Sequence, residues 1–110
     1  MSDRELLELA AKAAGIRINH WIYDDLDYSA AVLETGEVWH PLANGGDALG
    51  LAVKLEISIN PFAGKTVVTY TVDNTRRGPY EKWDCNDNNP YAATRRAIVR
   101  AAAEIGRNMK

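Results

Sequence analysis

Apolar residues recur at helical spacing near both ends of the chain and alternate with polar ones between. Ser2 stands as an N-cap before a first helix running to about Ala14, with Asp3 and Glu5 in its first turn, where carboxylates suit the helix dipole. Leu6, Leu9, Ala10 and Ala13 share one side, Leu7 and Ala14 flank it, and Gly15 is a natural stop. Arg17 to Tyr23 is rich in β-branched and aromatic residues and predicts a strand. Strict alternation puts Ile18, His20 and Ile22 on one face, and Asn19, Trp21 and Tyr23 on the other. An acidic turn, Asp24-Asp25-Leu26-Asp27, precedes a second strand from Tyr28 to Leu33 that ends before Gly36.

Trp39-His40-Pro41-Leu42 leads into the loop Asn44-Gly45-Gly46-Asp47 and a central helix from about Asp47 to Leu55. That helix is apolar almost all round, through Ala48, Leu49, Leu51, Ala52, Val53 and Leu55, and is expected to be held mostly inside the fold. Ile57 and Ile59 mark a short strand ending near Pro61; Ala63-Gly64 turns the chain into Lys65–Val72, and the two strands form a hairpin. Thr66, Val68, Tyr70 and Val72 share one side of the second of them. Arg76-Arg77-Gly78-Pro79 is expected as an exposed loop, and Tyr80 to Cys85 as a last edge strand. Asn89 is a good N-cap and Pro90 suits the first turn of a closing amphipathic helix. In it Ile98, Ala101, Ala102, Ile105 and Met109 form one face, and Arg96, Arg100 and Arg107 another.

The order α-β-β-α-β-β-(β)-α predicts an α+β fold, a small mostly antiparallel sheet packed sandwich-like with N-terminal, central and C-terminal helices. With 110 residues, 46% of them apolar, the chain suffices for one domain over 1–110 with a real core. A single cysteine, Cys85, rules out an intrachain disulfide framework and suits a reducing cytoplasm. The N-terminus reads as a helix start rather than a signal peptide, and no apolar run approaches the ~20 residues that span a bilayer. The expected setting is therefore cytoplasmic, without a membrane partner. The net charge of −2 conceals an asymmetry, because residues 89–110 hold five Lys/Arg against one Glu. Arginines on an exposed helical face and near a helix C-terminus are ordinary, and the overall acidic balance is unlike that of a duplex-DNA binder.

Candidate chemistry is sparse. His20 and His40 lack metal-ligand spacing, and Asp24, Asp25 and Asp27 lack the glycine and distal Glu of a calcium loop, so no metal or cofactor is expected. Cys85 as a nucleophile needs His20 or His40 beside it, which no motif indicates, and the expectation is a non-enzyme. Gly45-Gly46 before a helix has the form of an anion cradle, but lacks a P-loop Lys-Ser/Thr and carries Asp47; it marks a helix start. The aromatics offer more. Trp21 and Tyr23 form a patch if the first helix leaves their strand face open, and Trp and Tyr are favoured anchors of binding surfaces. Arg76, Arg77, Arg95, Arg96 and Arg100 add forked donors suited to planar anions. These seven residues are the candidate binding surface.

Three blocks carry a resemblance. Trp39-His40-Pro41-Leu42-Ala43-Asn44-Gly45-Gly46-Asp47-Ala48-Leu49-Gly50-Leu51-Ala52-Val53-Lys54-Leu55 resembles the W-x-P-x(5)-D-A-x-x-L-A-V-K-L segment of small bacteriophage and prophage proteins. The stretch from Asn89 to Gly106 is similar to their closing helix, and Arg4 to Gly15 to their opening one. The group is that of the phage αβα-sandwich ("ABA sandwich") domain proteins, most of which have no assigned function, so the resemblance implies origin and architecture. Within it, Trp39 ahead of Pro41 would anchor the loop before the central helix, and Asp47 would satisfy free N–H groups at that helix's N-terminus. Ile16–Val38 and Glu56–Asn88 match no such pattern.

The functional expectation is a non-enzymatic phage or prophage accessory protein, acting in the bacterial host cell. It would bind a host protein or small ligand, with a counter-defence or metabolic role, as a monomer or homodimer. The alternative is a weakly specific nucleic-acid-binding protein using Arg95, Arg96, Arg100 and Arg107 with Arg76 and Arg77.

Overall fold

The computed structural model describes residues 3–23, 29–62, 65–72, 75–77, 80–82 and 90–109. The first helix, α1 (Asp3–Ala14), buries Leu7, Ala10, Ala11 and Ala14. It closes in a Schellman motif: Gly15 takes φ +69°, the Ile16 N–H donates to the Ala11 carbonyl at 2.9 Å, and the Gly15 N–H donates to that of Lys12 at 3.3 Å. The chain then enters an antiparallel sheet of three strands, β1 (Ile18–Tyr23), β2 (Ser29–Leu33) and β3 (Val38–Trp39), in the order β1-β2-β3. The two-residue β3 was not anticipated.

A loop leads to α2 (Gly45–Leu55), which begins two residues earlier than its apolar pattern indicates. Asn44 is the N-cap, its Oδ1 accepting the Asp47 N–H at 2.9 Å. Gly45 and Gly46 are therefore the first helical turn and not a loop. Asp47 also acts differently from expectation. Its Oδ2 accepts the N–H of His40 at 2.9 Å, so the carboxylate pins the preceding loop instead of the helix's own donors. The helix ends in a second Schellman motif, with Ile57 N–H bonded to the Ala52 carbonyl at 2.9 Å. Here Glu56 occupies the left-handed position at φ 56°, the one non-glycine residue with positive φ among the described residues.

The second sheet is built around β5 (Lys65–Val72). On one edge lies β4 (Ser58–Phe62), from Ser58 opposite Thr69 to Phe62 opposite Lys65. On the other edge lie β6 (Thr75–Arg77) and β7 (Tyr80–Lys82). Tyr70 pairs with Arg77 and Val67 with Tyr80 in one register, so β6 and β7 lie along the same edge of β5. This corrects the expected exposed loop at Arg76 and Arg77, which belong to a strand, while Gly78 and Pro79 lie outside the described residues. The sequence pattern misses it because Arg76-Arg77-Gly78-Pro79 carries no apolar alternation, whereas backbone pairing to β5 requires none.

The last helix, α3 (Pro90–Arg107), packs against α1, α2, β4, β5 and β7. Ala97, Ile98, Val99, Ala101, Ala102 and Ala103 are each at most 3% exposed. The expected apolar face of α3, through Ile98, Ala101, Ala102 and Ile105, does pack into the core, and Ala97, Val99 and Ala103 widen it. By contrast α2, whose pattern predicts an internal helix, lies with Leu49 and Val53 exposed. Alanine has little apolar area, so the pattern registers α3 only weakly; its small side chains are what allow neighbours to approach from several directions. Val68 and Tyr70 of β5 are buried in the same cluster. The architecture is α+β, with three helices and two small antiparallel sheets among the described residues. Among the described residues, no helix is long and apolar enough to cross a membrane.

Candidate functional site

The first sheet carries the feature of most functional interest. Its register slips between Ile18 and His20: Ile18 pairs with Leu33, and His20 with Val32, which leaves Asn19 as an extra residue, a β-bulge. The slip puts Ile18 and Trp21 both against the core, although strict alternation assigns them to opposite faces. Beyond the bulge the alternation is regular. Trp21, Ala31 and Trp39 form one inward row across the three strands, with Ala31 fully buried and Trp39 5% exposed. His20, Val32 and Val38 form the corresponding outward row, with Ile22 and Ala30 beside it.

That outward face is open. Val38 is 60% exposed and Ile22 44%, and His20 is exposed on the same strand as Ile22. Around the bulged end of the sheet lies an open depression of about 310 Å³, lined by Gly15, Ile16, Arg17, Leu33, Glu34 and Thr35. Ile16 and Leu33 pack against the core, while Arg17 and Glu34 are exposed. The Glu34 N–H donates to the Arg17 carbonyl at 3.2 Å, which ties the two sides together. The α1 stop at Gly15 and the bulge at Asn19 fix this corner.

Of the seven residues proposed from sequence, four have described side chains: Trp21, Arg95, Arg96 and Arg100. Trp21 is half-buried, with the Arg4 guanidinium 5.2 Å from its ring centre, so the first helix does cover it. Tyr23 pairs with Ser29 at the end of β1, and its side chain lies outside the described residues. Arg76 and Arg77 occupy register positions opposite Thr71 and Tyr70, and their side chains likewise lie outside the description. Arg95 turns inward, its Nε donating to the Leu42 carbonyl at 3.0 Å and fastening α3 to the loop before α2. Arg96 forms a forked pair with Asp3 at 3.3 and 3.5 Å, joining α3 to α1. Arg107 bonds Glu104 at 2.7 Å, and Arg100 is exposed. Arg96 thus joins α3 to α1 and Arg95 joins it to the loop before α2, while the Arg107 pair stays within α3.

His20 and His40 stand apart in use: the first lies on the outward face of β1, and the second is half-buried in the loop pinned by Asp47. Cys85 and the acidic turn at Asp24, Asp25 and Asp27 fall outside the described residues. Among the described residues no group of three or more His, Cys, Asp or Glu is placed to hold a metal ion. Sequence reasoning missed Val38, Val32 and the depression. The apolar character of Val38 was legible, but its strand is only two residues long and the bulge that orders the face leaves no compositional mark. Comparison with protein-family models, curated proteins and solved structures returns no match.

Proposed function

We propose that the protein is a non-enzymatic binding protein, a phage or prophage accessory factor that captures a host protein or a small ligand in the bacterial cytoplasm. The observation that carries this reading is the outward face of β1-β2-β3, where Ile22 and Val38 stand exposed with Val32 between their strands. Apolar side chains grouped on one flat face gain free energy by being covered, and such patches mark interaction sites. The adjoining depression has the volume of a small-ligand pocket or of one inserted side chain. The phage assignment rests on the resemblance of the opening, central and closing blocks, and a role against a host defence or on host metabolism follows from it. Capture of nucleic acid along α3 is the weaker reading, because Arg95 and Arg96 are spent on Leu42 and Asp3.

The test is affinity capture from bacterial lysate, with mass spectrometry of both retained proteins and small ligands. The expected result is a specific retained species that is lost with Val38→Glu and Ile22→Glu, both of which keep the fold because the positions are exposed. A blank for proteins and small ligands alike sinks the proposal. Retention that falls steeply with salt and is lost on nuclease treatment would favour nucleic acid instead.

A further inference from the structure

The outer face of α2 is unusual for a surface helix. Opposite its buried side, formed by Ala48, Leu51 and Ala52, stand Gly46, Leu49, Gly50 and Val53. Leu49 is 58% and Val53 71% exposed. A side chain at Gly50 would meet nothing within 4 Å, and one at Gly46 would meet only the Asn44 Oδ1 at 3.2 Å. Two branched residues four apart and two glycines four apart therefore alternate on one face, as bumps and holes of the same spacing. At Gly46 a side chain would crowd the capping Asn44 Oδ1, whereas Gly50 lowers helix propensity with no close contact inside the fold that requires it.

We propose that α2 is a two-fold interface at which a second copy of this chain packs antiparallel across Gly50. Under that symmetry Val53 of one copy comes over Gly46 of the other, and Leu49 alongside Gly50, so each bump meets a hole. The charges agree with the same operator. In a two-fold antiparallel pair each flank of a helix faces its own symmetry mate. Asp47 and Lys54 lie on one flank, which brings the Lys54 ammonium of each copy towards the Asp47 carboxylate of the other. Glu56 lies on the opposite flank, beyond the helix C-terminus, and comes towards the N-terminal N–H groups of the other α2, where negative charge is favoured. One axis thus satisfies shape, ion pairing and helix dipoles together, as a self-complementary interface requires. An 11-residue helix is about 16 Å long, so the contact is smaller than the ~800 Å² per partner of a standard interface. The dimer is accordingly weak and concentration-dependent. It is independent of the capture face on β1-β2-β3.

Sedimentation velocity of the full chain from about 5 to 500 μM is the test, against the 12.2 kDa monomer. The wild type is expected to shift towards the dimer over this range. Gly50→Gln fills the hole with a better helix former and should weaken the dimer at least tenfold without lowering the melting temperature. Lys54→Glu sets like charge against Asp47 and should also weaken it. A wild type that stays monomeric at the highest concentration overturns the proposal. So does a dimer that both variants leave intact, which would place the contact elsewhere, such as a sheet edge.

Discussion

Trp21 and Trp39 stand on either side of Ala31 in one row across β1, β2 and β3, so that a methyl group is all that lies between their two strands' indoles. Ala31 is fully buried, and a larger side chain there is expected to press on one of the aromatic rings. Overpacking of this kind costs about 1–3 kcal/mol. Ala31→Leu is expected to lower stability by about that amount in a urea titration, with the midpoint shifted and the slope retained. An unchanged midpoint would mean that the two tryptophans do not close over Ala31.

The helices at both ends, the central helix and the β4–β5 hairpin are legible in the sequence because each is marked by local signals: caps, glycine stops and periodicity. What is not legible is decided by neighbours. The bulge at Asn19 follows from pairing with β2, and it alone puts Ile18 and Trp21 on one side. β6 exists because β5 offers a free edge to Arg76 and Arg77, neither of which is a strong strand former. The burial of α3 depends on partners distant in sequence, α1, α2, β4 and β5 among them, and size, rather than polarity, qualifies its alanines for that place. The forked donors of Arg95 and Arg96 are legible in the sequence, but not that the Leu42 carbonyl and the Asp3 carboxylate accept from them.

Glycines 106 and 50 should respond oppositely to the same substitution. A Cβ at Gly106 would overlap the Leu9 carbonyl oxygen and lie 2.9 Å from its carbon, since α1 and α3 cross there backbone to backbone. Backbone cannot swing aside as a side chain does, so Gly106→Ala is expected to cost 2 kcal/mol or more, on the order of the larger overpacking penalties. Gly50→Ala, in open space within a helix, should instead stabilise by about 0.5–1 kcal/mol. Thermal melts at low protein concentration, where self-association is absent, separate the two. Equal effects of one sign would contradict the close crossing.

Glu56 holds the left-handed position of the α2 Schellman motif, which costs a residue bearing a Cβ roughly 1–2 kcal/mol. Gly15 performs the same task at the end of α1 without that cost. Glu56→Gly is therefore expected to raise stability by about 1 kcal/mol, somewhat less than the full strain because glycine gains freedom in the unfolded chain. The same variant removes a carboxylate from the proposed α2 interface and should weaken self-association modestly. A loss of stability would show that the Glu56 side chain contributes more to the fold than its backbone strain removes.

Arg96 and Asp3 give a measure of how far the basic face of α3 serves the fold. Their side chains are 42% and 48% exposed, and the pair is forked. Water and salt reach both partners, so the coupling between Arg96→Ala and Asp3→Ala in a double-mutant cycle should fall below about 1 kcal/mol and shrink as ionic strength rises. Arg95 differs, because its Nε–H donates to the Leu42 carbonyl in a partly buried setting. Losing that donor leaves a carbonyl short of its partner, and Arg95→Ala is expected to cost about 1–2 kcal/mol, nearly independent of salt. The contrast in salt response is the decisive measurement. If Arg95→Ala proves neutral while binding to a captured partner falls, the residue belongs to an interaction surface and not to the joint between α3 and the loop before α2.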